Sequence, residues 1–223
     1  MEKKVIVWDL DNTLYRETPE FHKLQDELMA QVAIEDLGVN LDFDTAKQKV
    51  AESYRLYRDG GEFFIQEYGV SAKDLFELYH KRKQENLRYM TQYDDFLEKL
   101  QSLNCEQFVF SVNPVETSEE MLKHLGLYEF FKGKIYSVAQ FGCYKKNENL
   151  DVYTKLCASI GVLPKNVVFI DDSYSYLEFA KKAGLRTVRL CHGKPNDCGV
   201  EYIDYAVNDI DECISLLKNE FCL

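Results

Sequence analysis

No run of about 18 apolar residues, the minimum for a membrane-spanning helix, occurs anywhere in the sequence. Nor does a charged segment leading into an apolar signal open it, since a strand-like run begins within the first few residues. A cytoplasmic protein is expected. Positive charge is also short: 27 Lys+Arg stand against 38 Asp+Glu, for a net charge of -11. That balance argues against broad binding to nucleic acid or to anionic membranes, and obliges any phosphate-bearing ligand to find positive charge placed locally. CxxC pairs are missing. The seven cysteines (Cys105, Cys143, Cys157, Cys191, Cys198, Cys213, Cys222) are odd in number and dispersed, which reads as reduced thiols and not as a disulfide framework. Cys191, His192 and Cys198 are too few and too widely spaced for a structural zinc site.

The length of 223 residues suffices to bury roughly 70–75% of the unfolded surface without staples. Strand-like patterning is scarce between about residues 16 and 90, where apolar residues recur at three or four. Phe21, Leu24, Leu28 and Val32 make one helix ending near Gly38. Asp44 is a candidate N-cap for the next, which carries Val50, Tyr54 and Tyr57 up to a Gly60-Gly61 turn. Ser71, with Asp74 three residues on, caps a further helix through Leu75, Leu78, Tyr79 and Arg82. Tyr54, Tyr57, Phe63, Phe64 and Tyr68 crowd around the glycine pair, where an aromatic surface could stack a flat ligand.

What organises the remainder is Lys4-Val5-Ile6-Val7-Trp8-Asp9-Leu10-Asp11-Asn12-Thr13-Leu14, an apolar run that breaks off into two acids. Continuous apolar residues fit a strand covered on both faces in a parallel sheet, and such sheets bind ligands beyond the carboxyl ends of their strands. Asp9-Leu10-Asp11-Asn12-Thr13 resembles the first motif (DxDxT) of the haloacid dehalogenase superfamily, and the stretch Asp9 to Tyr15 is close to its pyrimidine nucleotidase-like phosphatases. The resemblance implies that Asp9 attacks phosphorus and becomes an aspartyl-phosphate, while Asp11 protonates the leaving oxygen and then activates water. The chemistry suits the spacing: a carboxylate nucleophile splits one displacement into two, and an acid/base on the same loop serves both. Two carboxylates so close call for a cation, and a hard, oxygen-binding Mg²⁺ fits.

The later motifs follow in the family's order. The strand Cys105 to Ser111 ends in a residue matching the family's phosphate-binding Ser or Thr, although Val112 stands where Asn is usual and the amide arrives as Asn113. Gly142 to Glu148 resembles the third motif, whose lysine neutralises nucleophile and phosphoryl group. Counting from either side leaves Lys145 and Lys146 both open, and the usual following Pro is missing. Asn166 to Ser173 is another apolar strand ending in paired acids and resembles the fourth motif. By that alignment Asp172 is a direct Mg²⁺ ligand and Asp171, at a position often held by Gly, helps through water. Tyr176 replaces a second Asp or Asn found in many relatives.

Strand-helix repeats predict an α/β fold with a doubly wound parallel sheet, and the helical block that interrupts it looks like the all-helical cap inserted after the first motif in the resembled superfamily. Residues 1–15 and 92–223 form the core and 16–91 the cap. The implied protein is a Mg²⁺-dependent phosphatase of a small phosphorylated metabolite, with a nucleoside 5′-monophosphate as first candidate and phosphoglycolate and sugar phosphates open. It binds neither nucleic acid nor membrane, and is a monomer or homodimer. Asp11 separates it from haloalkanoic-acid dehalogenases, which lack the second acid. A phosphomutase shares the motifs, and a binding protein that has lost turnover is the rival suggested by the irregular second and third motifs.

Overall fold

The computed structural model describes residues 4–57, 59–193 and 200–221. The chain divides into two compact units, one of Met1–Arg16 with Gln92–Leu223 and one of Glu17–Thr91. In chain order, β1 (Val5–Trp8) is followed by helices α1 (Pro19–Gln31), α2 (Phe43–Tyr57), α3 (Glu62–Tyr68) and α4 (Ala72–Lys83). After these come α5 (Phe96–Gln101), β2 (Glu106–Ser111), α6 (Val115–His124), α7 (Tyr128–Phe131), β3 (Ile135–Ser137) and α8 (Asp151–Ile160). The chain closes with β4 (Val167–Asp171), α9 (Tyr174–Lys182), β5 (Arg186–Leu190), β6 (Tyr205–Val207) and α10 (Ile210–Phe221).

Six strands among the described residues form one parallel sheet in the order β3-β2-β1-β4-β5-β6. The order reverses beside β1, the kind of switch point at which open α/β sheets bind ligands. Every residue of β1 is buried, as its unbroken apolar run requires of a central strand. On one face Val5 and Val7 pack with Phe110, Tyr153 and Phe169. On the other, the Trp8 ring meets Phe96 edge-on at 6.2 Å. Its indole N–H donates to Gln107 Oε1 at 3.0 Å, and the Gln107 amide donates to the Leu100 carbonyl at 2.7 Å, so these buried polar groups are satisfied. Register does the rest. Trp8 pairs with Val109 of β2 and with Ile170 of β4, so Asp9 and Asp171 emerge one residue beyond, at the same sheet edge.

The Glu17–Thr91 unit is helical throughout its regular elements. Thr18 caps α1 by accepting from the Phe21 N–H at 3.0 Å, with Pro19 in the first turn, where its missing N–H costs nothing. The helix then widens into a π-helical turn over Val32–Asp36. Leu28, Val32, Val50, Phe64 and Leu75 form its core. Gly60 and Gly61 do more than turn the chain: a Cβ would lie 2.8 Å from the Tyr54 ring at Gly60 and 2.8 Å from Leu75 Cδ2 at Gly61. Ser53, fully buried, accepts the Phe63 N–H at 2.9 Å and so ties α2 to α3.

One local expectation is corrected. The cap of α2 is Asp42, which accepts from the Thr45 N–H at 2.9 Å and its hydroxyl at 2.7 Å; Asp44 lies inside the first turn. Helix α5 starts no earlier than Phe96, because Asp95 takes a left-handed φ of 52° that a helix cannot include. Strand β3 ends at Ser137, whose side chain caps a 3₁₀ turn beginning at Val138. Ser71 accepts from the Asp74 N–H at 3.3 Å, as read from the sequence.

Candidate active site

The site grows from the end of β1. Asp9 still belongs to the sheet, its N–H donating to the Ile170 carbonyl at 2.9 Å. The chain then turns tightly, with the Thr13 and Leu14 N–H groups both donating to the Leu10 carbonyl, and Asn12 takes a φ of 53°. Asparagine tolerates that left-handed conformation better than most residues, which explains its place here. The Asn12 amide donates to Asp172 Oδ2 at 2.7 Å, joining the β1 turn to the β4 turn. The His192 ring meets the Asn12 carbonyl at 2.6 Å, so its Nε2 carries the proton.

Lys146 reaches this edge from the loop before α8. Its ammonium, fully buried, bonds Asp9 Oδ1 and lies 2.8 Å from Asp171 Oδ2. The Phe110, Phe169 and Tyr176 rings surround it at 5.6, 5.1 and 5.2 Å. Tyr176, a departure from the resembled motif, thus packs on the lysine. Lys145 is half-buried, and both described ion pairs to the acids belong to its neighbour. Burial pushes the Asp9 carboxyl up to about 8 against the pull of Lys146, with Asp171 and Asp11 adding to the rise. Asp171 rises to about 6 for the same leading reason. Burial alone would lower the Lys146 ammonium, but the two carboxylates outweigh it and hold it above its ordinary value.

Asp11 is held from two sides. Tyr15 donates its hydroxyl to Oδ1 at 2.8 Å, and the Asn113 amide donates to Oδ2. The same Asn113 Nδ2 lies 2.8 Å from Ser111 Oγ, and the Asn113 N–H donates to that oxygen at 3.1 Å. Asn113 therefore joins Ser111, at the end of β2, to the acid of β1. The extra residue Val112 shifts the amide along the chain, but the turn folds it back onto Ser111. Asn113, Asn12 and Tyr15 were absent from the sequence-derived site. An amide two residues past a strand-end serine was the legible signal for the first. Asn12 has no local signal, since its partner Asp172 lies 160 positions on, whereas Tyr15 meets Asp11 only four residues back, through the turn.

Asp9, Asp171 and Asp172 each present a carboxylate oxygen, and these lie within 4.8 Å of one another. A set of carboxylates alone suits a hard cation such as Mg²⁺ and lacks the sulfur or imidazole donors that favour softer metals. Asp171 is already engaged through both oxygens, Oδ2 with Lys146 and Oδ1 with the Ser173 N–H at 2.8 Å. Thr13 Oγ1 and Asn113 Oδ1 are buried without a hydrogen-bond partner among the described residues, the state of groups that await water or ligand. Cys198, the third member of the cysteine-histidine cluster, lies outside the described residues. Cys191 is buried beside the Arg189 carbonyl.

A parallel sheet that gathers buried acids, one lysine and a strand-end serine at its switch point defines an enzyme of the α/β class. Residues 3–184 match the haloacid dehalogenase-like hydrolase family, and the chain belongs to it. It is 27% identical to the glyceraldehyde 3-phosphate phosphatase of Methanocaldococcus jannaschii, over 97% of both chains. Its fold resembles that of a haloacid dehalogenase phosphatase from Thermococcus onnurineus, with a TM-score of 0.66, 19% identity, and 98% and 97% of the two chains covered. A family hydrolase from Deinococcus radiodurans, solved with bound phosphate and sodium, matches with a TM-score of 0.62 and 19% identity over 99% and 97%. Among the described residues, no helix is long and apolar enough to cross a membrane.

Proposed function

We propose that the protein is a Mg²⁺-dependent phosphoric monoester hydrolase that works through an aspartyl-phosphate on Asp9. The observation that carries this reading is the buried Lys146, bridging Asp9 and Asp171 beside an acid held ready two residues along. In the first half-reaction an Asp9 oxygen bonds to phosphorus and the bond to the leaving oxygen breaks, with Asp11 delivering the proton. In the second, Asp11 takes a proton from water as the water oxygen attacks phosphorus, and Asp9 is released. Lys146 offsets the charge of nucleophile and phosphoryl group. Asn113 occupies both lone pairs of Ser111 Oγ, so the serine O–H is the group left to donate to a phosphoryl oxygen. Mg²⁺, held by Asp9, the Asp11 carbonyl and Asp172 with Asp171 assisting through water, would screen the crowded acids and polarise the phosphoryl oxygens.

The strand-end groups address phosphate and leave the leaving group unread, so we assign substrate choice to the Glu17–Thr91 unit acting as a cap. The wording of the β1 motif favours a nucleoside monophosphate, whereas the archaeal relative's name favours a phosphorylated three-carbon sugar. We place the latter first. The test is phosphate release with Mg²⁺ across glyceraldehyde 3-phosphate, nucleoside 5′-monophosphates, phosphoglycolate and hexose phosphates. One ester should stand out, and Asp9→Asn should abolish its hydrolysis. No release on any ester, or turnover in Asp9→Asn above about one-thousandth of wild type, refutes the mechanism.

A further inference from the structure

Arg189 is a guanidinium buried in the sheet, a placement charged side chains avoid unless paired. It lies on β5 in register with Asp171 of β4, one strand away from the acids. Its Nε donates to the Asp172 carbonyl at 3.4 Å. Its Nη1 donates to the Tyr174 hydroxyl, and its carbon Cζ lies 3.6 Å from the centre of the Tyr174 ring. One side chain thereby grips a backbone carbonyl and the first residue of α9, the two ends of the turn that presents Asp172. A planar fork that donates and stacks at once is particular to arginine; the lysine ammonium is a point charge without a flat face.

We propose that Arg189 is a positioning residue for the metal site: gripping Asp172 and Tyr174, it fixes the β4–α9 turn in the geometry that lets Asp172 bind the cation. The inference rests on the Mg²⁺ reading above. It adds a residue on another strand that acts through the backbone of a ligand. Groups that orient metal ligands typically contribute about 10- to 100-fold in affinity.

The experiment is calorimetric titration of the full chain with MgCl₂, for wild type, Arg189→Lys, Arg189→Met and Tyr174→Phe. Both Arg189 variants should bind Mg²⁺ about 10-fold or more weakly, and Tyr174→Phe, which keeps the ring but loses the hydroxyl, by a smaller factor. In turnover, the Mg²⁺ concentration for half-maximal rate should rise while kcat recovers at saturating Mg²⁺. A purely structural role would lower kcat at every Mg²⁺ concentration. Should the Arg189 variants not fold, Tyr174→Phe decides by the same titration. Mg²⁺ affinity within twofold of wild type in every folded variant overturns the proposal while sparing the metal reading. A wild-type chain that binds no Mg²⁺ overturns both.

Discussion

Replacing Lys146 by Met tests the electrostatic frame of the site most directly. The ammonium is fully buried between Asp9 and Asp171, themselves almost wholly buried, so its removal strands two carboxylates in a medium that solvates them poorly. Breaking a buried ion pair from one side costs about 3–5 kcal/mol. The Phe110, Phe169 and Tyr176 rings around Nζ would accept the thioether, so packing offsets part of that and the remainder reports the acids. At about 2–4 °C per kcal/mol for a chain of this size, the thermal midpoint should fall on the order of 10 °C without metal. The pH dependence has a definite sign. Asp9 and Asp171 are already raised, to about 8 and about 6, so their contribution is most favourable below the ordinary carboxylate range and is lost as pH rises through those values. Without Lys146 both rise further, and the deficit relative to wild type should widen from pH 5.5 to pH 8. Adding Asp9→Asn to Lys146→Met should recover much of the loss, because it removes one stranded charge. The assay is thermal and urea unfolding in chelator at both pH values. A Lys146→Met chain within about 1 kcal/mol of wild type at pH 8 would refute the claim that Lys146 neutralises the acids.

Mg²⁺ should raise the thermal midpoint of the wild type, since the folded state alone gathers Asp9, Asp171 and Asp172, and exhaustive chelation should stop turnover; full activity in chelator contradicts the assignment. Asn113→Ala should lower kcat about 10- to 100-fold with a smaller change in KM, because Asp11 and Ser111 both lose a donor that aligns them, and steady-state kinetics on the best ester will show the split. Gly61→Ala should destabilise the helical unit by about 1–3 kcal/mol, as the new methyl meets Leu75 at 2.8 Å within a filled core; unchanged unfolding would mean that Leu75 moves aside freely. Among the aromatics of that unit, Phe64 is buried in its core, so ranking of substrates is better probed at the exposed Tyr57 and Tyr68. Their replacement by Ala should reorder a panel of esters more than it changes turnover of a small generic one.

Much of the molecule is written locally. The Val5-Ile6-Val7-Trp8 and Val167-Val168-Phe169-Ile170 runs are buried strands because no polar residue interrupts them, and in both an acid follows at the strand end. Caps such as Ser71 are equally local, since a side chain reaches an N–H only three residues away. Where two residues compete for such a role within one turn, as Asp42 and Asp44 do, local pattern does not separate them; the difference lies in which backbone has left the helix. The choice between Lys145 and Lys146 is of another kind. The two are neighbours in composition and charge, and which ammonium meets Asp9, 137 positions earlier, depends on how the loop before α8 crosses the sheet edge. The same holds for the pairing of Asn12 with Asp172, of Asn113 with Asp11, and of Arg189 with Asp172 and Tyr174. Sequence by itself determined which strands end in chemistry, because strand burial and the acids that end it are short-range facts. Only the tertiary structure decided which groups share a charge or a hydrogen bond, because parallel strands become neighbours through long crossovers, and electrostatics in a buried site depends on distances of a few ångströms that no spacing along the chain encodes.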